Sequence, residues 1–213
     1  MNIKIRQAVL AHNDAEAAEN ARIFHDRGFR VVNVMASPGA GKTSLILCLI
    51  DHIPAGLTPL VIEGDCASSV DADRVSAAGV GVVQINTDGG CHLEAGMVRK
   101  AFIDLSGNGP GVVFIENIGN LICPVEYDLG EDMRLVVASV PEGDDKPLKY
   151  PYIFAAADVI VLNKIDLAEH VEFDIASFHA GVRAVNDHAQ IFEVSCKSGD
   201  GLKPLTKWLF STD

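Results

Sequence analysis

The sequence predicts an α/β protein: a mostly parallel sheet with helices on both faces. Three observations carry this. Short apolar runs alternate with helical stretches along the whole chain, as strands buried on both faces require. A glycine-rich loop follows the first such run and opens a helix, in Ala36-Ser37-Pro38-Gly39-Ala40-Gly41-Lys42-Thr43. A second polar signature, Asn163-Lys164-Ile165-Asp166, directly follows a later apolar run.

In chain order, residues 3–27 read as one helix rich in Ala, Glu and Arg, closed by Gly28. The chain is therefore divided into an N-terminal helix, residues 1–28, and a nucleotide domain with loops of its own, residues 29–213. Residues 30–35 form a strand, the glycine loop follows, and residues 44–50 continue the helix it opens. Strands are expected at residues 57–63, 80–86, 111–116, 135–140, 159–163 and 190–195. Helices are expected at residues 69–78, 93–105, 148–156, 173–185 and 202–210. Residues 117–132 make the longest loop, too long for a plain connector and hence a candidate functional segment. There is no internal repeat and no low-complexity linker.

The chain has 213 residues, enough for one domain with a large core, and its 48% hydrophobic and 22% charged residues are those of a globular protein. A net charge of -12 argues against nucleic acid or an anionic membrane as a partner. No apolar run reaches the ~18 residues of a membrane span, and the N-terminus has no signal-peptide pattern. Five cysteines, an odd number, suit a reducing cytoplasm better than a disulfide framework.

Strand, glycine loop, Gly-Lys-Thr and helix together describe a P-loop, as opposed to an ordinary strand-to-helix turn. Gly39, Ala40 and Gly41 let successive backbone N–H groups turn inward onto phosphate, and the helix N-terminus adds positive potential. Lys42 is expected to reach the β- and γ-phosphates, the Thr43 hydroxyl to meet magnesium, and Ser44 to line the same site. Asp166 can accept hydrogen bonds from both N1–H and the exocyclic amine of guanine, which adenine does not offer, so the triphosphate is expected to be GTP. Asn163 braces the loop and Lys164 lies along the base. Ser195-Cys196-Lys197, after another strand, matches the Ser-Ala-Lys guanine loop with Cys for Ala.

Glu116 ends a strand where a magnesium-holding acid belongs; Asp65 ends another, and Asp71 follows it. Carboxylates beside a triphosphate suit Mg²⁺, a hard cation that retains waters. Asp65 is the candidate for positioning the attacking water, while Asp71 reads equally well as a helix N-cap. No arginine finger is identifiable, so intrinsic hydrolysis is expected to be slow. Cys91-His92 and, in the long loop, Cys123 form a thiol and imidazole set that suits zinc, nickel or copper. On spacing alone, a soft-metal site and structural cysteines both stay open, and three ligands leave a tetrahedral site incomplete. Cys48 reads as core, Cys196 as part of the base loop, and Cys66 as having no evident ligand partner.

With these residues in place the chain resembles the HypB family, GTPases that assist nickel insertion into [NiFe]-hydrogenase. The matching segments include Ser37 to Thr43, Ile62-Glu63-Gly64-Asp65, Gln84-Ile85-Asn86-Thr87, Cys91-His92-Leu93, Ile115 to Leu121, Cys123-Pro124 and Tyr127-Asp128-Leu129-Gly130. The most distinctive is Pro141-Glu142-Gly143-Asp144-Asp145-Lys146-Pro147-Leu148-Lys149-Tyr150-Pro151, which no generic GTPase needs. The resemblance implies a SIMIBI-class G domain that forms a homodimer on GTP. It also implies a nickel or zinc site at the dimer interface from Cys91, His92 and Cys123, a hydrogenase maturation partner, and the hydrogenase large subunit as recipient. GTP state would then bias metal affinity, and metal would bias GTP affinity equally. Three departures stand out. Ala36 replaces the first P-loop glycine, Cys196 replaces the usual Ala, and the N-terminus lacks the Cys-x-x-Cys motif and His-rich run of some members, so a second nickel site or a storage role is not expected. Related GTPases for urease or a cobalamin enzyme, a non-catalytic metal carrier, and a dimeric ATPase are the rival readings. The last would need a lysine where Ser37 stands.

Overall fold

The computed structural model describes residues 3–65, 70–105 and 109–211. Its frame is a seven-stranded, all-parallel sheet. The strands are β1 (Phe29–Ala36), β2 (Thr58–Asp65), β3 (Gly81–Asn86), β4 (Gly111–Glu116), β5 (Met133–Ser139), β6 (Val159–Asn163) and β7 (Gln190–Glu193). Their order is β3-β2-β4-β1-β5-β6-β7, which puts β1, the strand that feeds the glycine loop, at the centre. The helices are α1 (Ile3–Asp26), α2 (Lys42–Ile50), α3 (Val70–Ala77), α4 (Ala95–Leu105), α5 (Lys146–Lys149), α6 (Pro151–Ala155), α7 (Ile175–Val185) and α8 (Leu202–Leu209).

Side chains alternate across β1, so the sheet feeds two layers of core. Val32, Val34 and Ala36 point toward α2, α3 and α8, where Leu45, Leu49, Val75 and Leu205 are fully buried. On the other face Val31 joins Phe24 of α1 and Phe102 of α4, and Met35 joins Phe154 and Phe178 from α6 and α7. Each buried aromatic of this kind contributes about 1.5–3 kcal/mol over exposure, which fixes the strand ends that carry the polar loops.

α1 is not held by apolar contact alone. Its inward stripe is Asn13, Ala17, Asn20 and Phe24, at helical spacing. Asn13 Oδ1 accepts from Ala95 N at 2.9 Å, and Asn20 Nδ2 donates to Ala95 O at 2.8 Å and Leu129 O at 3.0 Å. Gly130 passes so close that a Cβ there would lie 2.6 Å from Ala17 O. Arg99 on α4 closes the contact with Glu16 and Glu19.

Several expected elements shift by a few residues, among them β2 and β7, and four have a visible cause. The helix expected over residues 148–156 is two short helices, because Pro151 drives Tyr150 out of the α region, to φ -127 and ψ 55. The helix expected from Leu93 begins at Ala95, Leu93 being buried under Gly64 instead. The strand expected over 135–140 runs from Met133 to Ser139 and stops where Pro141 enters a 3-10 turn, Val140–Glu142. The helix expected from Phe173 starts after Asp174, whose carboxylate accepts from Ser177 N at 3.1 Å as an N-cap. Ser69, the expected start of the third helix, and Cys66 lie outside the described residues.

Candidate functional site

All the polar signatures gather at the C-terminal edge of the sheet, where ligands sit in open α/β folds. Ser37 to Gly41 join β1 to α2, with Gly39 and Gly41 at φ 76 and 102, the left-handed region that favours glycine. A Cβ on Gly41 would lie 2.4 Å from Asn163 Nδ2, so glycine is required there for space as well. Ala36 is fully buried at the end of β1, and a methyl fits that position.

The Asn163–Asp166 loop is tied directly to the glycine-rich loop. Asn163, 2% exposed, donates from Nδ2 to Ala40 O at 3.0 Å, and its Oδ1 accepts from Lys164 N at 2.8 Å and Cys196 N at 3.3 Å. Lys164 stands at φ 61 and sends Nζ to Gly39 O at 2.7 Å. Ser195 Oγ donates to Asp166 Oδ1 at 2.7 Å and so orients that carboxylate. Gly41, Ser44, Asn163, Lys164, Asp166, Cys196 and Lys197, together with Leu167, line one cavity of about 340 Å³. Burial and the neighbouring Cys48 thiol push the Cys196 thiol up to about 12, so it stands there as a neutral side chain.

Beside it a cavity of about 240 Å³ is lined by Gly39, Lys42, Asp65, Asp71 and Glu116, among others. Thr43 Oγ1 donates to Glu116 Oε1 at 2.9 Å. Asp71 lies in the first turn of α3 and pairs with Arg74 at 3.2 Å; Arg74 also reaches Ser44 Oγ at 3.4 Å. Burial raises the Glu116 carboxyl to about 6, against the pull of Lys42 and Thr43. The residues present suit magnesium: carboxylate and hydroxyl oxygens, with Glu116 Oε2 buried and without a hydrogen-bond partner among the described residues.

Sequence reasoning missed three residues here. Glu63 is 2% exposed and faces the same cavity; burial and the nearby Glu116 raise it to about 8. Its signal was present, since Glu63 and Asp65 are two apart on a strand and share a face. Glu142 accepts from Ser37 Oγ in the phosphate loop. Thr87 N donates to Asp65 O at 3.0 Å, which joins the ends of β2 and β3.

The thiol and imidazole groups lie farther out along the same edge. Cys91 is exposed, with Sγ 3.5 Å from His92 Nδ1, and Asn120 Nδ2 donates to Cys91 O at 3.3 Å. The His92 ring stacks on Tyr127 at 3.7 Å, and burial lowers its pKa, favouring the neutral imidazole that binds metals. Cys123 heads the 3-10 turn Pro124–Glu126. Among the described residues one chain does not gather these three: the sole set of three ligand groups within 4.8 Å of one another is Glu63, Asp65 and Asp71. Next to Cys123 lies an apolar cavity of about 550 Å³ lined by Leu121, Ile122, Val125 and Tyr152, with Ile122 63% and Tyr152 80% exposed.

Comparison with known proteins matches residues 30–193 to the family model described as CobW/HypB/UreG, nucleotide-binding domain. The hydrogenase maturation factor HypB of Rhizobium leguminosarum bv. viciae is 46% identical over 207 residues, 97% of this chain and 69% of that protein. Among solved structures, HypB from Helicobacter pylori in complex with nickel has a TM-score of 0.88 at 39% identity and covers 93% of each chain. The hydrogenase maturation factor HypB from Archaeoglobus fulgidus has a TM-score of 0.86 at 39% identity, covering 93% of this chain and 97% of that one.

Proposed function

This chain belongs to the HypB family of CobW/HypB/UreG nucleotide-binding domains, and from that premise we propose that it is a GTPase metallochaperone for [NiFe]-hydrogenase maturation. It binds GTP and nickel, and it couples GTP binding and hydrolysis to nickel delivery. The observation that supports this reading is a direct hydrogen bond between the segments that carry the two candidate sites. Asp65 lines the phosphate cavity, and its carbonyl accepts from Thr87 N, four residues before Cys91.

In this mechanism Asp166 accepts from guanine while Ser195 holds it in place, and the Cys196 and Lys197 loop closes over the base. Lys42 and the inward backbone of Gly39 to Gly41 neutralise the phosphates. Thr43, Asp65, Asp71 and Glu116 would hold magnesium, which would supply charge neutralisation beside the phosphates. Asp65 orients the attacking water. Arg74 is engaged by Asp71 and Ser44 and does not line the phosphate cavity; with no arginine there, hydrolysis by one chain is slow.

Nickel is the cargo. Cys91, His92 and Cys123 from two copies supply thiolate and imidazole ligands, which also accept zinc. A homodimer completes the set, and the apolar surface of Ile122 and Tyr152 beside Cys123 supports docking of the second copy on this edge. A maturation partner and the hydrogenase large subunit receive the metal. We assign this work to the cytoplasm, where Cys91 and Cys123 stay reduced; no helix among the described residues is long and apolar enough to cross a membrane.

The test is titration of the purified protein with nickel and zinc, in GDP and then in a non-hydrolysable GTP analogue, with oligomer mass measured in parallel. The expected result is about one metal per dimer, with an affinity that depends on the nucleotide. Absence of metal binding in both states would leave a GTPase with structural cysteines.

A further inference from the structure

One buried carboxylate stands outside the residues assigned above to phosphate, base or magnesium. Glu63 projects from the same face of β2 as Asp65 and is 2% exposed. Its backbone is in register with Glu116 on the adjacent β4, so the two acids are neighbours across parallel strand ends. Ligand oxygens of Glu63, Asp65 and Asp71 lie within 4.8 Å of one another. Oε2 of Glu63 and Oε2 of Glu116 are both buried with no hydrogen-bond partner among the described residues.

An orphaned carboxylate oxygen away from water is expensive, and two side by side are more so. A core acid with only a packing role would be hydrogen-bonded to its surroundings. These two instead face the phosphate cavity, where Lys42 stands among the acids. Adding a triphosphate to that wall brings more negative charge, so a divalent cation must stand between. Mg²⁺ keeps several of its waters, and those waters need acceptors.

We propose that Glu63 is a magnesium-positioning residue: with Glu116 it accepts hydrogen bonds from waters carried by the Mg²⁺ that binds with the nucleotide. It thereby sets the affinity for the cation and not the affinity for the nucleotide itself. This rests on the GTPase reading above, and it assigns to Glu63 a part that Thr43, Asp65, Asp71 and Glu116 leave open.

The test is Glu63→Gln, which keeps shape and removes charge. Two quantities are measured: the Mg²⁺ half-saturation of fluorescent GDP binding, and Mn²⁺ binding by electron paramagnetic resonance in the GDP complex. Loss of an outer carboxylate typically weakens metal binding about 10–100-fold. That weakening is expected for both cations, with GDP affinity in EDTA unchanged within about twofold. Unchanged half-saturation would overturn the proposal. An equal loss of GDP affinity with and without magnesium would also overturn it, since a merely structural role predicts that. If Glu63→Gln does not fold, Glu63→Asp withdraws the charge by one methylene; a magnesium-specific weakening supports the proposal and its absence overturns it. Failure of the unaltered protein to bind GDP would instead overturn the GTPase reading.

Discussion

The hydroxyl of Ser37 in the phosphate loop donates to the carboxylate of Glu142, and the same carboxylate holds Ser139 at both N (3.0 Å) and Oγ (2.8 Å). Glu142 is thus the far end of a brace that runs from the end of β5 to the loop that grips phosphate. Lys146, 3.7 Å away, balances its charge and lies 5.1 Å above the Tyr150 ring. The distinctive stretch from Pro141 to Pro151 has a physical task in this: it holds the P-loop at Ser37, while Asn163 holds it at Ala40.

Glu142→Ala should therefore weaken nucleotide binding without touching any residue that meets nucleotide. A hydrogen bond to a charged group is worth about 1.5–3 kcal/mol, so GDP affinity should fall about tenfold or more. A double-mutant cycle with Ser37→Ala, read by fluorescent GDP titration, should show strong non-additivity. Additive losses would mean that the brace does not act through Ser37.

The parts that were legible in the sequence are those whose physics is local. Apolar runs such as residues 111–116 read as strands because parallel strands are buried on both faces, and β4 is buried at every position. The P-loop and Asn163 to Asp166 were legible because each is one contiguous turn. Contacts made by strand order were not. Glu63 meets Glu116 only because β2 lies beside β4, and Ser37 meets Glu142 only because β1 lies beside β5. Nor could the helical pattern of residues 3–27 show that Asn13 and Asn20 are buried and bonded to Ala95 and Leu129.

Asp166→Asn should exchange the base preference. Asn keeps an Oδ1 to accept from Ser195, whose hydroxyl now donates to Asp166 at 2.7 Å, and it offers an amide where the carboxylate stood. That amide cannot accept from guanine but can donate to the 2-oxo group of xanthine. GTP affinity should fall by about a hundredfold or more, and xanthosine nucleotides should bind better than to the unaltered protein. Competition against fluorescent GDP measures both. Unchanged preference would remove Asp166 from the base site.

Stability without nucleotide and magnesium should fall as pH rises above 6.5. Burial, helped by Glu116 and Asp65, raises the Glu63 carboxyl from 4.5 to about 8. The folded state then binds more protons than the unfolded chain across that window, so rising pH favours unfolding until about 8. His92, lowered from 6.5 by burial, acts with the opposite sign, but its contribution is complete above its unfolded value. Urea unfolding at pH 6.5 and 8.5 should therefore differ by roughly 1–2 kcal/mol, and Glu63→Gln should remove most of the difference. A stability that rises with pH over this range would contradict the buried, protonated Glu63.

Cys91→Ala should abolish stoichiometric nickel binding while leaving GTP hydrolysis within about twofold, because the described residues that line the phosphate cavity do not include Cys91. What passes between the sites is a short chain of hydrogen bonds through Thr87. Asp65 O accepts from Thr87 N at 3.0 Å, Thr87 Oγ1 donates to Gly90 O at 2.9 Å, and Cys91 follows. A cation that orders Asp65 therefore also orders the turn that presents Cys91, and by reciprocity nickel orders Asp65. Thr87→Val keeps the backbone bond and removes the hydroxyl, so it should preserve each site and weaken their coupling. The ratio of nickel affinities in GTP analogue and GDP, expected at about 5–150-fold for a coupling of this kind, should shrink toward one in Thr87→Val. If Cys91→Ala still binds one metal per dimer, the ligand set is misplaced. If Thr87→Val leaves the ratio intact, the signal runs through Asn120, which holds Cys91 O from the β4 side.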